Sequence, residues 1–585
     1  MIALDLETVW SDQYSVATLG LDRYVLNPQF RVTLVALWSP EFQWVGPPLE
    51  LPVERIRGQQ LCAHNAEFDS VCCRLAIHRG QMPAFEPAGW TCTADMASWH
   101  QVPRSLKGAT KELFAIDMSK QARDDMKGLD PEMVGGNPIF RQYALDDAKA
   151  SWDIWNELQI GFPEKEALLS ELTRRIAGTG LPFDGPMAND FIMALEDSEL
   201  VCEKEIPWRR GPKPAAIGST VALIEACKLA GIPPPPSTNE NDPECMVWKA
   251  TYPAQGKWVD AMTRHRKVTK AAKQLLSILM RKRPDGRVST RLKYCGAPHT
   301  GRWSGTGGVN FQALPRGEVE GTSVKKCLSA PAGKVLVTVD LSQIEPRILH
   351  WLAGDMPFLG LLAGGIDLYE AHGRASGLYQ EDEPMKDFAP ELRHLCKARV
   401  LGLGYGCGGQ RFAAVAEALT AGNLTLDAAQ AAQQVAGYRK QNPLIPALWQ
   451  KLEDFVTASI SQTDGDIVVV ETRSGKPIRY FEVKEEAGRL SGTTVRGGPR
   501  KKLWGGLLTE NLVQATAREI FADGLLKVAA ANLPICLHVH DSITVEVAEA
   551  EGRAALDLMV TLMTEPPAWA EGLPLAAEGE VKGYY

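Results

Sequence analysis

The sequence predicts an α/β protein of several domains, and three observations carry that prediction. Short apolar runs, Ile2 to Leu6 and the β-branched Val335 to Val339 foremost, read as buried strands. Long stretches with helical spacing of apolar residues lie between and after them, among them 164–178, 390–405 and 510–528. The length of 585 residues corresponds to about four domains. Hydrophobic content of 45% and charged content of 23% are those of ordinary folded domains. The formal charge of −8 argues against a protein that coats nucleic acid over its whole surface. It is compatible with a basic groove beside metal-binding carboxylates. The twelve cysteines form no C-x-x-C pair, so neither structural zinc nor a disulfide framework is expected, and a reducing cytoplasm is. No secretory signal precedes the first strand, and no apolar run reaches the roughly 18 residues that suggest a membrane span.

In chain order, the first strand carries Asp5 and Glu7, which period-2 geometry puts on one face. A strand-rich region follows through Trp44. His64-Asn65-Ala66-Glu67-Phe68-Asp69 closes a short strand and opens a helix over 66–79. Tyr143 and Asp147, four apart, share a face of a helix that runs to about Leu158. Asp5, Glu7, Asp69 and Asp147 thus offer four carboxylates from three segments, with the Tyr143 phenol beside them. Oxygen donors of this kind suit two hard cations, Mg²⁺ or Mn²⁺. A water oriented by Tyr143 could then attack a phosphodiester while a second ion stabilises the leaving 3′ oxygen. Each acid alone reads as an ordinary solvated residue, and only the set of spacings suggests a site.

Gly161 and Pro163 mark a boundary, and the turn-rich run Gly178 to Gly185 enters a new, mainly helical region. Pro233 to Pro236 must be an extended loop within it. Arg264, His265, Arg266, Lys267, Lys270 and Lys273 form the densest basic cluster, suited either to a duplex backbone or to a solvated helix face. A Gly-rich connector then carries Arg302, which could bind phosphate, and Asn310 and Gln312, whose amides suit groove edges or sugar oxygens. The run Val335 to Val339 ends on Asp340, and the polar turn after it carries Gln343 and Glu345. Along 390–405, Arg393, Lys397, Leu401 and Tyr405 recur every four residues as one slanted stripe. Two cations, an apolar residue and an aromatic on that stripe suit a triphosphate with its base and sugar beyond. Gln514 and Arg518 share a face of a helix over Glu510 to Val528. Ile535 to Val547 reads as one strand with His540-Asp541 in its middle. Buried ionised aspartates are expensive unless paired or bound to metal, so Asp340 and Asp541 are a candidate pair for divalent cations.

These residues resemble family A DNA polymerases, the group of bacterial DNA polymerase I and several bacteriophage replicases. The resemblance includes a DnaQ-like 3′→5′ proofreading domain and covers essentially the whole chain. Asp5-Leu6-Glu7-Thr8, His64 to Asp69 and Tyr143 to Asp147 resemble the three exonuclease motifs. Asp340 to Arg347 resembles motif A, Arg393 to Gly406 motif B and His540-Asp541 motif C. The resemblance implies an RNase H-like exonuclease domain followed by a palm, thumb and fingers. The expected boundaries are exonuclease 1–163, linker and first palm segment 164–195, thumb 196–295, palm with motif A 296–375, fingers 376–505, and palm with motif C 506–585.

It further implies Asp340 and Asp541 as catalytic metal ligands, Glu345 as a steric gate against a 2′-hydroxyl, and Arg393 and Lys397 as triphosphate ligands. Lys397 would also protonate the pyrophosphate. Tyr405 would stack near the template base, and Arg302, Gln514 and His540 would meet primer and template. Two Mg²⁺ ions, or Mn²⁺, are expected per active site. The implied partners are primer-template DNA, dNTPs and replisome proteins such as a helicase or single-strand-binding protein, met by a monomer in the cytoplasm, that of the bacterial host if the chain is phage-encoded. Five positions depart from the family pattern: Leu401 for Phe or Tyr, Ser542 for Glu, Tyr369 for a phosphate-contacting His, Pro346 for Leu, and Glu510 for Asn. The rival readings are a stand-alone 3′→5′ exonuclease whose second half only binds DNA, and a replication scaffold without catalysis.

Overall fold

Ile2–Thr8 forms the centre of a five-stranded sheet in a computed structural model that describes residues 1–210, 213–239, 242–315, 317–463 and 466–585. Across the sheet run Phe42–Gly46, Val32–Ser39, Ile2–Thr8, Gln60–Ala63 and Gly89–Cys92. The central strand pairs antiparallel on the Val32–Ser39 side and parallel on the Gln60–Ala63 side. Its alternation builds two cores. Leu4 and Leu6 pack with Val35, Leu37 and Cys72 on one face. Ala3 packs with Leu34, Ala36, Ala144 and Ala148 on the other, against the helix Pro138–Leu158. Asp5 and Glu7 share the parity of Ala3 and therefore face that helix, whose alanines let it lie close. The strand-rich reading of the stretch before Trp44 needs correction. Val16–Leu19 and Leu21–Leu26 are helical, and Leu21, Tyr24 and Val25 turn into the core at helical spacing.

The chain divides into two units. The first holds residues 1–179, 290–307 and 337–581, and the second holds 180–289, 308–336 and 582–585. The second is mainly helical. Gly185–Glu205 packs along Pro253–Leu279, and its core gathers Cys202, Ile206, Leu223, Trp248, Val259 and Met262.

Beyond residue 179, the first unit contributes to a sheet ordered Ile535–Val539, Ser542–Ala548, Lys334–Leu341, Ala577–Lys582. An antiparallel sheet of Ile467–Glu471, Pro477–Glu486, Arg489–Thr493 and Lys501–Leu503 lies in the same unit, with Gly475 at φ +85° in the turn between its first two strands. The helix Gly505–Ala530 is buried along most of its length. Two sequence expectations change here. Ile535 to Val547 is a hairpin rather than one strand: His540 has φ +52° and Val539 pairs with Ser542, so His540-Asp541 is its turn. The helix from Pro390 stops at Leu403 with Gly404 as its cap, so Tyr405 lies just past the helix that carries the other three residues of the stripe. Among the described residues, no helix is long and apolar enough to cross a membrane.

Candidate active sites

The first carboxylate cluster lies where the helix Pro138–Leu158 crosses the central strand. Asp5, Glu7 and Asp147 each place a carboxylate oxygen within 4.8 Å of the others. Burial, the charge of Asp147 and that of Glu7 hold the Asp5 carboxyl well above the ordinary range, and its Oδ2 is buried with no hydrogen-bond partner among the described residues. Glu7 is pushed up to about 8 by burial and by Asp147. Asp147 rises to about 6 by burial, against the hydrogen bond it accepts from the Tyr143 phenol. Three crowded carboxylates, one with an orphaned oxygen, are costly without a cation. The all-oxygen donor set fits a hard divalent ion.

Asp69, on the helix Ala66–His78, stands outside that trio and is 3% exposed. Burial raises its carboxyl, while its own amide and the Leu6 N–H donate to it. It therefore ties the central strand to the neighbouring helix. His64 is enclosed: its ring lies 3.0 Å from the Thr93 hydroxyl and 2.8 Å from the Arg104 carbonyl, and burial lowers its pKa to about 4. Sequence reading missed Arg123. Its charge lowers the carboxyls of Asp5, Glu7 and Asp147, and its guanidinium lies 5.7 Å from the Trp10 ring. Only the fold brings the short helix Gln121–Asp125 to the site.

The second cluster forms where two strands of the other sheet meet at their ends. Leu341 N–H donates to the Asp541 carbonyl at 3.0 Å, which draws the hairpin turn beside Asp340. Thr338 and Thr544 hydroxyls meet at 2.9 Å further along the pair. Asp340 is exposed and Asp541 half-buried. Burial raises the Asp541 carboxyl to about 6, Asp340 and Glu345 add to the rise, and Arg302 opposes it. A strand end and a turn thus converge two carboxylates at an accessible edge, a donor pair that again fits a hard cation.

Around this pair, Glu345 opens the helix Ile344–Ala353 and is ion-paired with Arg302. The Tyr405 hydroxyl donates to its other oxygen at 3.3 Å. Gln343, with φ +48°, makes the sharp turn between strand and helix. On the helix Pro390–Leu403, Arg393 ion-pairs with Asp367 at 3.2 Å and lies over the Tyr369 ring at 4.9 Å. Lys397 follows one turn on and is partly exposed. Leu401 packs against the core that contains Phe358, Tyr369 and Val400. Gln514 donates to Glu510 at 3.2 Å. The Glu510 carboxyl is raised by burial and by Glu345, against Arg411 and Arg302.

Arg518 does not work beside Gln514. It is 2% exposed, forks onto both oxygens of Glu166 at 2.6 Å, and donates to the Gly301 carbonyl at 3.1 Å. It lies 4.8 Å from the Trp303 ring and so fixes the turn that presents Arg302. Gly301 has φ +77°, and a Cβ there would meet the Lys476 side chain at 2.7 Å, so this turn requires glycine.

Of the remaining expected contacts, Asn310, Gln312, Arg266, Lys267 and Lys270 belong to the second unit and His540 to the first. Asn310 accepts from the Gln312 N–H at 3.0 Å and so caps a short helical turn. Arg266, Lys267 and Lys270 are exposed on the helix Pro253–Leu279. His540 occupies the hairpin turn itself.

Comparison with known proteins gives four matches. The model of the family described as DNA polymerase family A matches residues 237–583. The DNA polymerase of Bacillus phage SP02 is 25% identical over 698 aligned residues, covering 100% of this chain and 99% of that protein. The thermostable DNA polymerase I of Thermus filiformis is 25% identical over 427 residues, which span 71% of this chain but only 47% of that longer protein. Among solved structures, the POL domain of Pol1 from M. smegmatis, in complex with DNA primer-template and dNTP, aligns over 100% of this chain with a TM-score of 0.68 and 19% identity. That last likeness is one of fold.

Proposed function

This chain belongs to DNA polymerase family A, and from that premise we propose that it extends a DNA primer by template-directed addition of dNTPs. The observation that carries the reading is the Leu341 N–H to Asp541 carbonyl bond at 3.0 Å, which sets Asp340 and Asp541 side by side at an open edge. In this proposal the primer 3′-hydroxyl attacks the α-phosphorus, a new phosphodiester forms, and pyrophosphate leaves. Asp340 and Asp541 would hold two divalent ions, Mg²⁺ or Mn²⁺, which when bound activate the hydroxyl and stabilise the leaving phosphate.

The chain's own groups supply the rest. Arg393 and Lys397 offer the triphosphate one forked and one point cation from a single helix face. Lys397 is placed to give a proton to the departing pyrophosphate. Glu345, held by Arg302 and Tyr405, fills the space beside the sugar where a 2′-hydroxyl would sit. Tyr405 supports the template base, and Arg302 and Gln514 meet the primer end. Primer extension on a long single-stranded template tests this reading. Elongation that requires template, dNTPs and a divalent cation supports it, and a folded protein that elongates nothing overturns it.

The first cluster supports a second activity, 3′→5′ hydrolysis of a frayed DNA end. The buried Oδ2 of Asp5, without a hydrogen-bond partner among the described residues and set among carboxylates packed within 4.8 Å, is the observation that favours it. In this reading Asp5, Glu7 and Asp147 hold the cations, Asp69 braces the strand, and the Tyr143 phenol orients the attacking water. Loss of nucleotides from a 3′-labelled single strand is the measurement. The reading fails if that loss is absent or survives Asp5→Ala with Glu7→Ala.

A further inference from the structure

Tyr369 stands in the sequence as a group that touches the nucleotide, and its surroundings assign it a different task. It is 8% exposed and belongs to the core formed by Phe358, Leu362, Leu368, Met385 and Cys396. The Arg393 guanidinium lies over its ring at 4.9 Å from the centroid. The guanidinium is held a second way: its Nη2 donates to Asp367 Oδ2 at 3.2 Å. Asp367 is itself fixed, because its other carboxylate oxygen accepts from the backbone N–H groups of Tyr369 and Glu370 at the start of the helix Leu368–Ala375. Arg393 Nε is buried and has no hydrogen-bond partner among the described residues.

A free arginine side chain samples many rotamers, and each one immobilised on binding costs affinity. Here one face is set by an aromatic ring and one edge by a carboxylate, so the plane of the fork is settled before any ligand arrives. The Nη1 side, which makes no hydrogen bond to the other described residues, remains for an oxyanion. A guanidinium so fixed suits forked recognition of phosphate oxygens.

We propose that Tyr369 is a positioning residue: its ring, and not its hydroxyl, orients Arg393 for the triphosphate of the incoming nucleotide, with Asp367 setting the rotation of the fork. This inference rests on the polymerase reading of the second carboxylate cluster. It separates two roles that sequence alone merges. A phosphate ligand at this position needs its hydroxyl, whereas a platform needs only its π face.

The test is single-nucleotide incorporation by the full chain, with a primer ending in a phosphorothioate linkage that resists 3′→5′ hydrolysis. KM for dNTP, kcat, the inhibition constant of pyrophosphate and the Kd for primer-template are measured for wild type, Tyr369→Phe and Tyr369→Leu. Tyr369→Phe keeps the ring and should match wild type within about 2-fold in every parameter. Tyr369→Leu keeps an apolar filling but removes the π face. KM and the pyrophosphate constant should then rise together, by roughly 5- to 30-fold, with kcat and primer-template Kd nearly unchanged. A purely structural role would move kcat or DNA affinity instead.

If Tyr369→Leu melts early because it repacks the core, Tyr369→Phe decides alone, since it deletes a single oxygen. A rise in KM for Tyr369→Phe as large as that for Tyr369→Leu overturns the proposal and makes the hydroxyl a phosphate ligand. So does a folded Tyr369→Leu with wild-type KM. Failure of the polymerase reading would look different, as wild type itself would add no nucleotide.

Discussion

Glu7 carries the sharpest consequence of the electrostatics at the first cluster. Burial and Asp147 push its carboxyl from 4.5 to about 8. Between those values the folded chain holds a proton that the unfolded chain has lost, so stability falls as pH rises through that window and levels off above it. At about 1.36 kcal/mol per pH unit, the cost approaches roughly 5 kcal/mol at the top of the window and is about 3 near neutrality. Glu7→Gln keeps the shape and removes the charge, and it also relieves Asp5, whose carboxyl the Glu7 charge helps to raise. In EDTA the variant should therefore melt above wild type at about pH 8.5, with the gap closing towards about pH 5.

At about 2–4 °C per kcal/mol for a domain of 150–250 residues, a gap on the order of 10 °C or more is expected at that pH. Divalent cation acts the other way. Mg²⁺ should raise the melting temperature of wild type, more strongly as pH rises because binding displaces protons, and should raise the variant much less. Calorimetry of both proteins, with EDTA or MgCl₂ across that pH range, makes the measurement. A variant that melts below wild type in EDTA at about pH 8.5, or that gains as much from Mg²⁺, would refute the reasoning.

Three further substitutions address the second cluster. Asp541→Asn should leave primer-template affinity within a few-fold while slowing incorporation by roughly a hundredfold or more, since the carboxylate acts on the transition state. A retained burst of product in rapid-quench experiments would count against that role. Glu345→Ala removes the partner of Arg302 and Tyr405 and opens the sugar side, so the ratio of rNTP to dNTP incorporation should rise. An unchanged ratio would mean that another group closes the pocket. Leu401→Tyr adds a phenol donor on the stripe of Arg393 and Lys397 and should narrow the gap between dNTP and ddNTP in kcat/KM, provided the ring fits beside Tyr369 and Phe358. Wider discrimination in the variant would show that residue 401 does not face the sugar.

Local spacing explains what was legible in the sequence. Asp5 and Glu7 share a strand face by the two-residue period, and Tyr143 and Asp147 share a helix face by the four-residue one, so their grouping needed no tertiary information. Motif order fixed the positions of Asp340 and Asp541, but not the backbone between them. Apolar residues on both sides of His540-Asp541 disguised a hairpin turn as a strand, because a tight two-residue turn leaves hydrophobic runs unbroken. Arg518 shares a helix spacing with Gln514 yet pairs with Glu166 across a separation of 352 residues, which no periodicity can reveal. Arg123 was missed for the same reason, and the charge coupling of Glu510 to Glu345 lay equally outside any local pattern. Their part is electrostatic, set by helices that only the fold brings to the carboxylates. Tyr405 fell off its stripe because glycines at 402, 404 and 406 end the helix early.

The central claim is that one chain carries two separate carboxylate sites with different chemistry, and the most direct measurement runs both reactions on the same labelled primer-template. Wild type, Asp5→Ala with Glu7→Ala, and Asp541→Asn are compared in Mg²⁺, with and without dNTPs. Wild type should lengthen the primer when dNTPs are present and shorten it when they are absent. The double variant should lengthen and never shorten, and Asp541→Asn should shorten and scarcely lengthen. A folded variant of either kind that loses both reactions, or a double variant that still shortens the primer, would contradict the account.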